Sequence, residues 1–245
     1  MEPGVPKKET SVWVYIGCGC AALVILAMIG VAAMTWLFFR EGKKFEKSWS
    51  DPAAREAKAR EVLPWDELPE GYYPLGSFSV PFVMDVAMFT DELPPAGARP
   101  DRGSSDSRFK ERGFVFIRMR RFGRGSGDLR DYIEGKGREP NWLKESNTDY
   151  EAGELIRRGT VEVNGQELLY RASRGTVRPK GETKKGITTL LVVDCPGDRR
   201  VRFGIWFGPD PHPSDPVDQA DYTGTNADPE EIRKFAAHFR FCEKP

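Results

Sequence analysis

Four arginines, Arg118, Arg120, Arg121 and Arg124, crowd into seven residues and run into Gly123-Arg124-Gly125-Ser126-Gly127-Asp128. Guanidinium groups grip phosphates and carboxylates through paired N–H donors, and a glycine-rich strand-to-helix junction can add backbone amides. The stretch is neither of the familiar phosphate loops. Asp128 stands where the third glycine of the dinucleotide fingerprint belongs, and no Lys-Ser/Thr pair follows as in a P-loop. The expectation is a weak ligand site at Arg118, Arg120, Arg121 and Arg124, with Asp128 as a helix cap. The surroundings agree in sign: from Ala98 to Arg130 ten basic residues face four acidic ones. The whole chain carries 37 of each and is neutral. Composition therefore gives no global attraction to nucleic acid or anionic lipid.

A second candidate is the long loop Gly208-Pro209-Asp210 to Asp228, a possible site through Asp210, His212, Asp215, Asp218 and Asp221. Carboxylates of this kind suit Ca²⁺, but EF-hand spacing and its central glycine are missing, so no metal is expected. The chain has two histidines and four cysteines. His238 and Cys242 make half a zinc site at most, and no second pair accompanies them. Neither G-x-S-x-G nor H-E-x-x-H occurs. No catalytic residue and no cofactor is expected. Two cysteines, Cys18 and Cys20, lie in an apolar run. The other two, Cys195 and Cys242, are either a disulfide that clamps the C-terminus in an oxidising compartment or two unrelated thiols.

The octamer Arg112-Gly113-Phe114-Val115-Phe116-Ile117-Arg118-Met119 resembles the aromatic RNP1 strand of RNA-recognition domains at Arg112, Gly113, Phe114 and Phe116. It departs at Val115 and at Met119, where an aromatic is needed. Base stacking requires exposed rings on a sheet with a partner strand and a βαββαβ order. Here a Pro/Ser/Gly loop precedes the strand where the first helix should stand, and no convincing RNP2-like strand lies upstream. The expectation is a strand buried on both sides, with no nucleic-acid partner.

The elements that must position these residues begin with an uncharged run from Val12 to Phe39. Its 28 residues exceed the roughly 20 that span a bilayer as a helix. Trp13, Tyr15 and Trp36 stand near its ends as interface anchors. The run is too long for a cleaved signal, and Arg40-Glu41 follows it where small residues would mark a cleavage site. A single transmembrane helix in contact with the lipid bilayer is expected. Lys7 and Lys8 precede it, whereas Arg40, Lys43, Lys44 and Lys47 follow, which alone favours a cytoplasmic domain. Long downstream domains cross despite such charges, and the cysteine pair favours the other side. The domain is placed outside the cytoplasm.

Downstream, Asp51-Pro52 caps an Ala-rich helix that Pro64 stops, read as a charged stalk that leans on the domain or membrane without building core. Tyr72 to Phe89 reads as one or two strands interrupted by Pro81, at an edge or bulge. Asp91 to Ser107 reads as loop. Leu129, Tyr132 and Ile133 mark a short helix. Asn164-Gly165 and Cys195-Pro196-Gly197-Asp198 each join two β-rich runs as hairpin turns. Val201, Phe203, Ile205 and Phe207 alternate with Arg202, Gly204 and Trp206 as in a strand with one face on a core. Asp228-Pro229 opens a helix striped by Ile232, Phe235, Ala236 and Phe239.

These elements define class α+β, an antiparallel sheet with a few packed helices behind a single N-terminal transmembrane helix. The divisions are a polar tail 1–11, transmembrane helix 12–39, stalk 40–63 and globular domain 64–245. The functional expectation is a membrane-anchored binding, sensing or structural module with a possible protein partner. The alternative is a membrane-anchored hydrolase or anion-processing enzyme using the junction near 118–128.

Overall fold

The computed structural model describes residues 51–94, 109–120, 125–141, 143, 150–177, 184–198 and 200–242. The chain divides into Met1–Phe45 and Glu46–Pro245, and every described residue belongs to the second unit. The expected transmembrane helix, with Trp13, Tyr15 and Trp36, lies outside the described residues. Among those described, no helix is long and apolar enough to cross a membrane.

Seven antiparallel strands form one sheet: β1 (Tyr73–Val80), β2 (Met84–Thr90), β3 (Gly113–Arg120), β4 (Tyr150–Val163), β5 (Gln166–Val177), β6 (Lys184–Val193) and β7 (Arg200–Pro209). Their order is β1-β2-β3-β7-β6-β5-β4. Two meanders, β1 to β3 and β4 to β7, are thus joined along β3 and β7, which makes the last strand a central one. Three helices pack on the sheet, α1 (Pro52–Val62), α2 (Gly125–Glu134) and α3 (Pro229–Ala237). The class is α+β.

Local sequence accounts for much of this. Asp51 accepts from Ala53 N at 3.0 Å to cap α1, and Asp228 accepts from Glu230 N at 3.0 Å to cap α3. Asn164 and Gly165 take φ of 52° and 72°, as a type I′ turn requires. The Asn164 side chain also donates to Ala237 O and Phe239 O, so this hairpin tip caps the end of α3. Asp198 N donates to Cys195 O in the second tight hairpin.

One sheet face carries Phe89, Phe114, Phe116, Leu168, Tyr170, Leu191 and Trp206 beneath α1 and α3. Phe235 stacks on Trp206 with ring centres 4.0 Å apart and meets Phe114 edge-on at 5.0 Å. Trp206 Nε1 donates to the Tyr72 hydroxyl at 2.6 Å, and burial there pushes the Tyr72 pKa up to about 12. The opposite face packs Leu169, Leu190, Val192, Phe203, Ile205 and Phe207 against Leu129, Tyr132 and Ile133 of α2.

Phe114 and Phe116 are 0% and 1% exposed, and Val115 and Ile117 pack on the other face. Within the octamer the Phe114 and Phe116 side is closed, the Val115 and Ile117 side is half-buried, and Arg112 lies exposed outside the strand.

Four expectations need correction. The β7 strand has both faces covered, because its central position places Gly204 and Trp206 under α3 and leaves Arg202 2% exposed. Gly204 is required there: a Cβ would stand 2.5 Å from the Phe114 ring. Helix α1 does build core, since Ala59 and Val62, with Leu63 at its C-cap, are buried in the aromatic cluster. Pro81 occupies a turn between β1 and β2, while the register shift lies between Pro74 and Gly76. Asp128 lies inside the first turn of α2, because the helix takes in Gly125, Ser126 and Gly127; an acid there complements the helix dipole.

Candidate anion-binding cleft

Along β3 the aromatic face changes character within a few residues. Phe114 and Phe116 are followed on the same side by Arg118 and Arg120, since alternate residues share a face. The β7 partners in register are Arg202 opposite Arg118 and Arg200 opposite Arg120. Four guanidinium side chains therefore occupy a two-by-two block on one sheet face. Directly opposed like charges destabilise a strand pair.

Two carboxylates compensate part of this charge. Asp85, opposite Arg118 on β2, accepts from Arg118 Nε at 3.0 Å. Asp198 accepts from Arg200 Nε at 3.0 Å and from Arg202, whose other terminal nitrogen donates to Phe241 O. Burial disfavours the Asp198 charge, but the Arg200 backbone N–H and the Arg202 and Arg200 guanidiniums outweigh it and hold the carboxyl below the usual range. Arg120 has a different partner. Its guanidinium lies over the Phe82 ring at 5.4 Å, and no described carboxylate pairs with it.

Phe82 reaches that position through an unusual turn. Val83 N donates to Val80 O across Pro81 and Phe82, and Phe82 takes φ of 64°. Pro then φ > 0 is the type II pattern, in which the second central position belongs to Gly or Asn. A phenylalanine there costs roughly 1–2 kcal/mol in backbone strain and leaves its ring 77% exposed. Between the turn and the arginines opens a cleft of about 720 Å³, lined by Val80, Pro81, Phe82, Val83, Met84, Asp85, Arg118, Arg120 and Arg200. Its size falls within the range of small-molecule sites.

Of the arginines expected to bind a ligand, Arg118 and Arg120 meet in this cleft; Arg121 and Arg124 lie outside the described residues. Arg200, Asp85, Asp198 and Phe82 were missed by sequence reasoning. Arg200 was legible only as part of an alternating strand, and Phe82 only as a residue following Pro81.

The acidic loop is organised differently. Arg174 Nε approaches Asp210 Oδ2 at 2.6 Å, and the same guanidinium donates to Asp215 O and to His212 O. Asp210 Oδ1 accepts from His212 N, His212 Nδ1 lies 3.3 Å from Asp215, and Asp221 accepts from Thr223. Asp218 is exposed. These groups hold the loop's own turns, and among the described residues no cluster of three or more His, Cys, Asp or Glu could hold a metal. Asn226 fastens the loop to the sheet by donating to Ile187 O and Trp206 O.

Cys195 and Cys242 are joined by a disulfide with Cα atoms 5.5 Å apart. It ties the chain end to the hairpin that presents Asp198, beside the carbonyl of Phe241 that receives Arg202. Fold and site together define an α+β domain with a cationic, aromatic-rimmed cleft at one end of its sheet. No known protein family and no curated protein matches the chain.

Proposed function

We propose that the chain is a single-pass membrane protein, anchored in the lipid bilayer through residues 12–39, whose domain lies outside the cytoplasm and binds a partner at the arginine cleft. The observation that carries the binding reading is the cleft lining: three arginines, an apolar wall and one carboxylate already paired with Arg118. Guanidiniums and apolar side chains recognise and orient a ligand. The single carboxylate is engaged as a counter-ion, which favours recognition over general acid–base work.

The Cys195–Cys242 disulfide supports the extracytoplasmic placement, since such bonds persist in oxidising compartments. Protease added to intact cells carrying a tag after Pro245 tests it. The tag is expected to be removed from outside, and Cys195 and Cys242 to resist alkylation until reduced. A protected tag on freely alkylated thiols overturns the placement.

A further inference from the structure

From its buried face we infer that α1 is a releasable strap, hinged at Pro64 and able to lift from the outer strands β1 and β2 while the rest of the domain stays folded. The inference is independent of what the cleft binds. Helix α1 lies on β1 and β2 and turns Arg55, Ala59 and Val62 toward them, at spacings of four and three residues that share one helix face. By contrast, α3 turns Ile232, Phe235 and Ala236 inward. An apolar stripe of the second kind offsets the freedom lost on docking. The α1 stripe offers one alanine and one valine, and its third member is a guanidinium.

Arg55 is 2% exposed, and its surroundings do not satisfy it. One terminal nitrogen, Nη2, donates to Pro94 O at 3.2 Å, whereas Nε and Nη1 are buried without a hydrogen-bond partner. No described carboxylate forms an ion pair with it; Asp51, one turn earlier, accepts from Ala53 N as the helix cap. Burial lowers the Arg55 pKa, and the Asp51 charge opposes that shift only in part. Arg202, equally buried, shows the contrary case, since it donates both to Asp198 and to Phe241 O. A buried charge without a counter-ion destabilises the arrangement that buries it. Lifting α1 returns the guanidinium to water.

The two ends of the helix are held unequally. Just past the C-cap residue Leu63, Arg240 N donates to Pro64 O at 2.8 Å, and Trp65 pairs with Phe239 in an antiparallel bridge. Among the described residues, the one hydrogen bond from α1 itself to the rest of the domain is Arg55 to Pro94 O. The fixed end is therefore Pro64-Trp65, and Pro52–Val62 is the part that moves. Elements with little buried apolar area are the ones that open locally. Opening uncovers Tyr72 and Phe89, which share the aromatic cluster with Ala59 and Val62.

The test is amide hydrogen exchange read by mass spectrometry on the full chain in neutral detergent micelles. In the wild type the amides of α1 are expected to exchange at least about tenfold faster than those of α3, β6 and β7. Arg55→Met keeps the length of the side chain and removes its charge. It should slow exchange in α1 about tenfold and leave α3 unchanged, because the docked state no longer buries an unsatisfied guanidinium. Val62→Ala should do the reverse, raising exchange in α1 while β6 and β7 stay protected. Wild-type α1 exchanging as slowly as α3 overturns the strap. So does an Arg55→Met variant whose α1 exchanges as fast as the wild type or faster, which would make Arg55 a docking contact through Pro94 O. A Val62→Ala variant in which α1, α3 and the strands lose protection together would show that α1 opens only when the whole domain unfolds, and that too overturns it.

Discussion

The two ends of one sheet face follow opposite rules. At one end Phe89, Phe114 and Trp206 meet Phe235 of α3 and Phe239 just past its end in a closed aromatic cluster. At the other, Asp85, Arg118, Arg120 and Arg200 extend the same strands into an open cleft, with Arg202 buried beside it. Every local choice at the aromatic end agrees with the fold: β-formers in the strands, a glycine where a ring must pass, a capped helix on top. The charged end sets like charges opposite each other and a phenylalanine in a glycine's place. A chain under no constraint but folding has no reason to keep those conflicts, and consistency usually fails where function intervenes.

The contrast predicts large losses at the closed end. Phe114→Ala removes a fully buried ring that touches Phe89, Phe235 and Phe239, and is expected to cost about 3–5 kcal/mol. Denaturant unfolding measures it, and a loss below 1 kcal/mol would show that the cluster is loosely packed. Cys242→Ser comes next. Opening a crosslink between positions 47 residues apart should cost about 2–4 kcal/mol. Because the disulfide holds the Phe241 carbonyl that receives Arg202, reduction of the wild type should reproduce this loss in denaturant unfolding. A loss below about 1 kcal/mol would show that the clamp is dispensable to the fold.

Sequence showed these two ends unequally. Caps at Asp51 and Asp228, the turn at Asn164-Gly165 and the stripe on α3 are local signals, each readable within a few residues. Burial of Phe114 and Phe116 followed from alternation with Val115 and Ile117. Arg202 misled, because an arginine alternating with Phe203 and Ile205 reads as solvent-facing. Its burial depends on Asp198 and on Phe241 O, and the latter reaches it only because the chain end returns to the sheet. The cleft shared that difficulty: Arg120 and Arg200 meet only through the β3–β7 register, which no local pattern encodes. Pro81 announced a turn, but nothing nearby announced that Phe82 would carry the positive φ.

Phe82→Gly inverts the sign expected of most substitutions. The variant relieves the left-handed strain at φ 64° and removes an exposed ring, so thermal unfolding should show about 1 kcal/mol of added stability. Glycine's greater freedom in the unfolded chain limits the gain without reversing it. A destabilised variant would mean that the Phe82 ring contributes packing that outweighs its strain, and the difference between the two ends would then be one of degree.

The smallest effect is an acid dependence confined to the charged end. The folded Asp198 carboxyl titrates below its unfolded value of about 3.9, so the folded state holds fewer protons than the unfolded state between those two values. The stability it contributes is complete above about pH 4 and disappears as pH falls through the folded value. Asp198→Asn should therefore melt below the wild type at pH 7, where Arg200 and Arg202 have lost their counter-ion, and the gap should close on acidification below pH 4. Phe114→Ala supplies the control, because no titrating group enters that substitution and its deficit should not narrow over the same range. A gap for Asp198→Asn that stays constant down to pH 2 would mean that the carboxylate acts through shape and neutral hydrogen bonds.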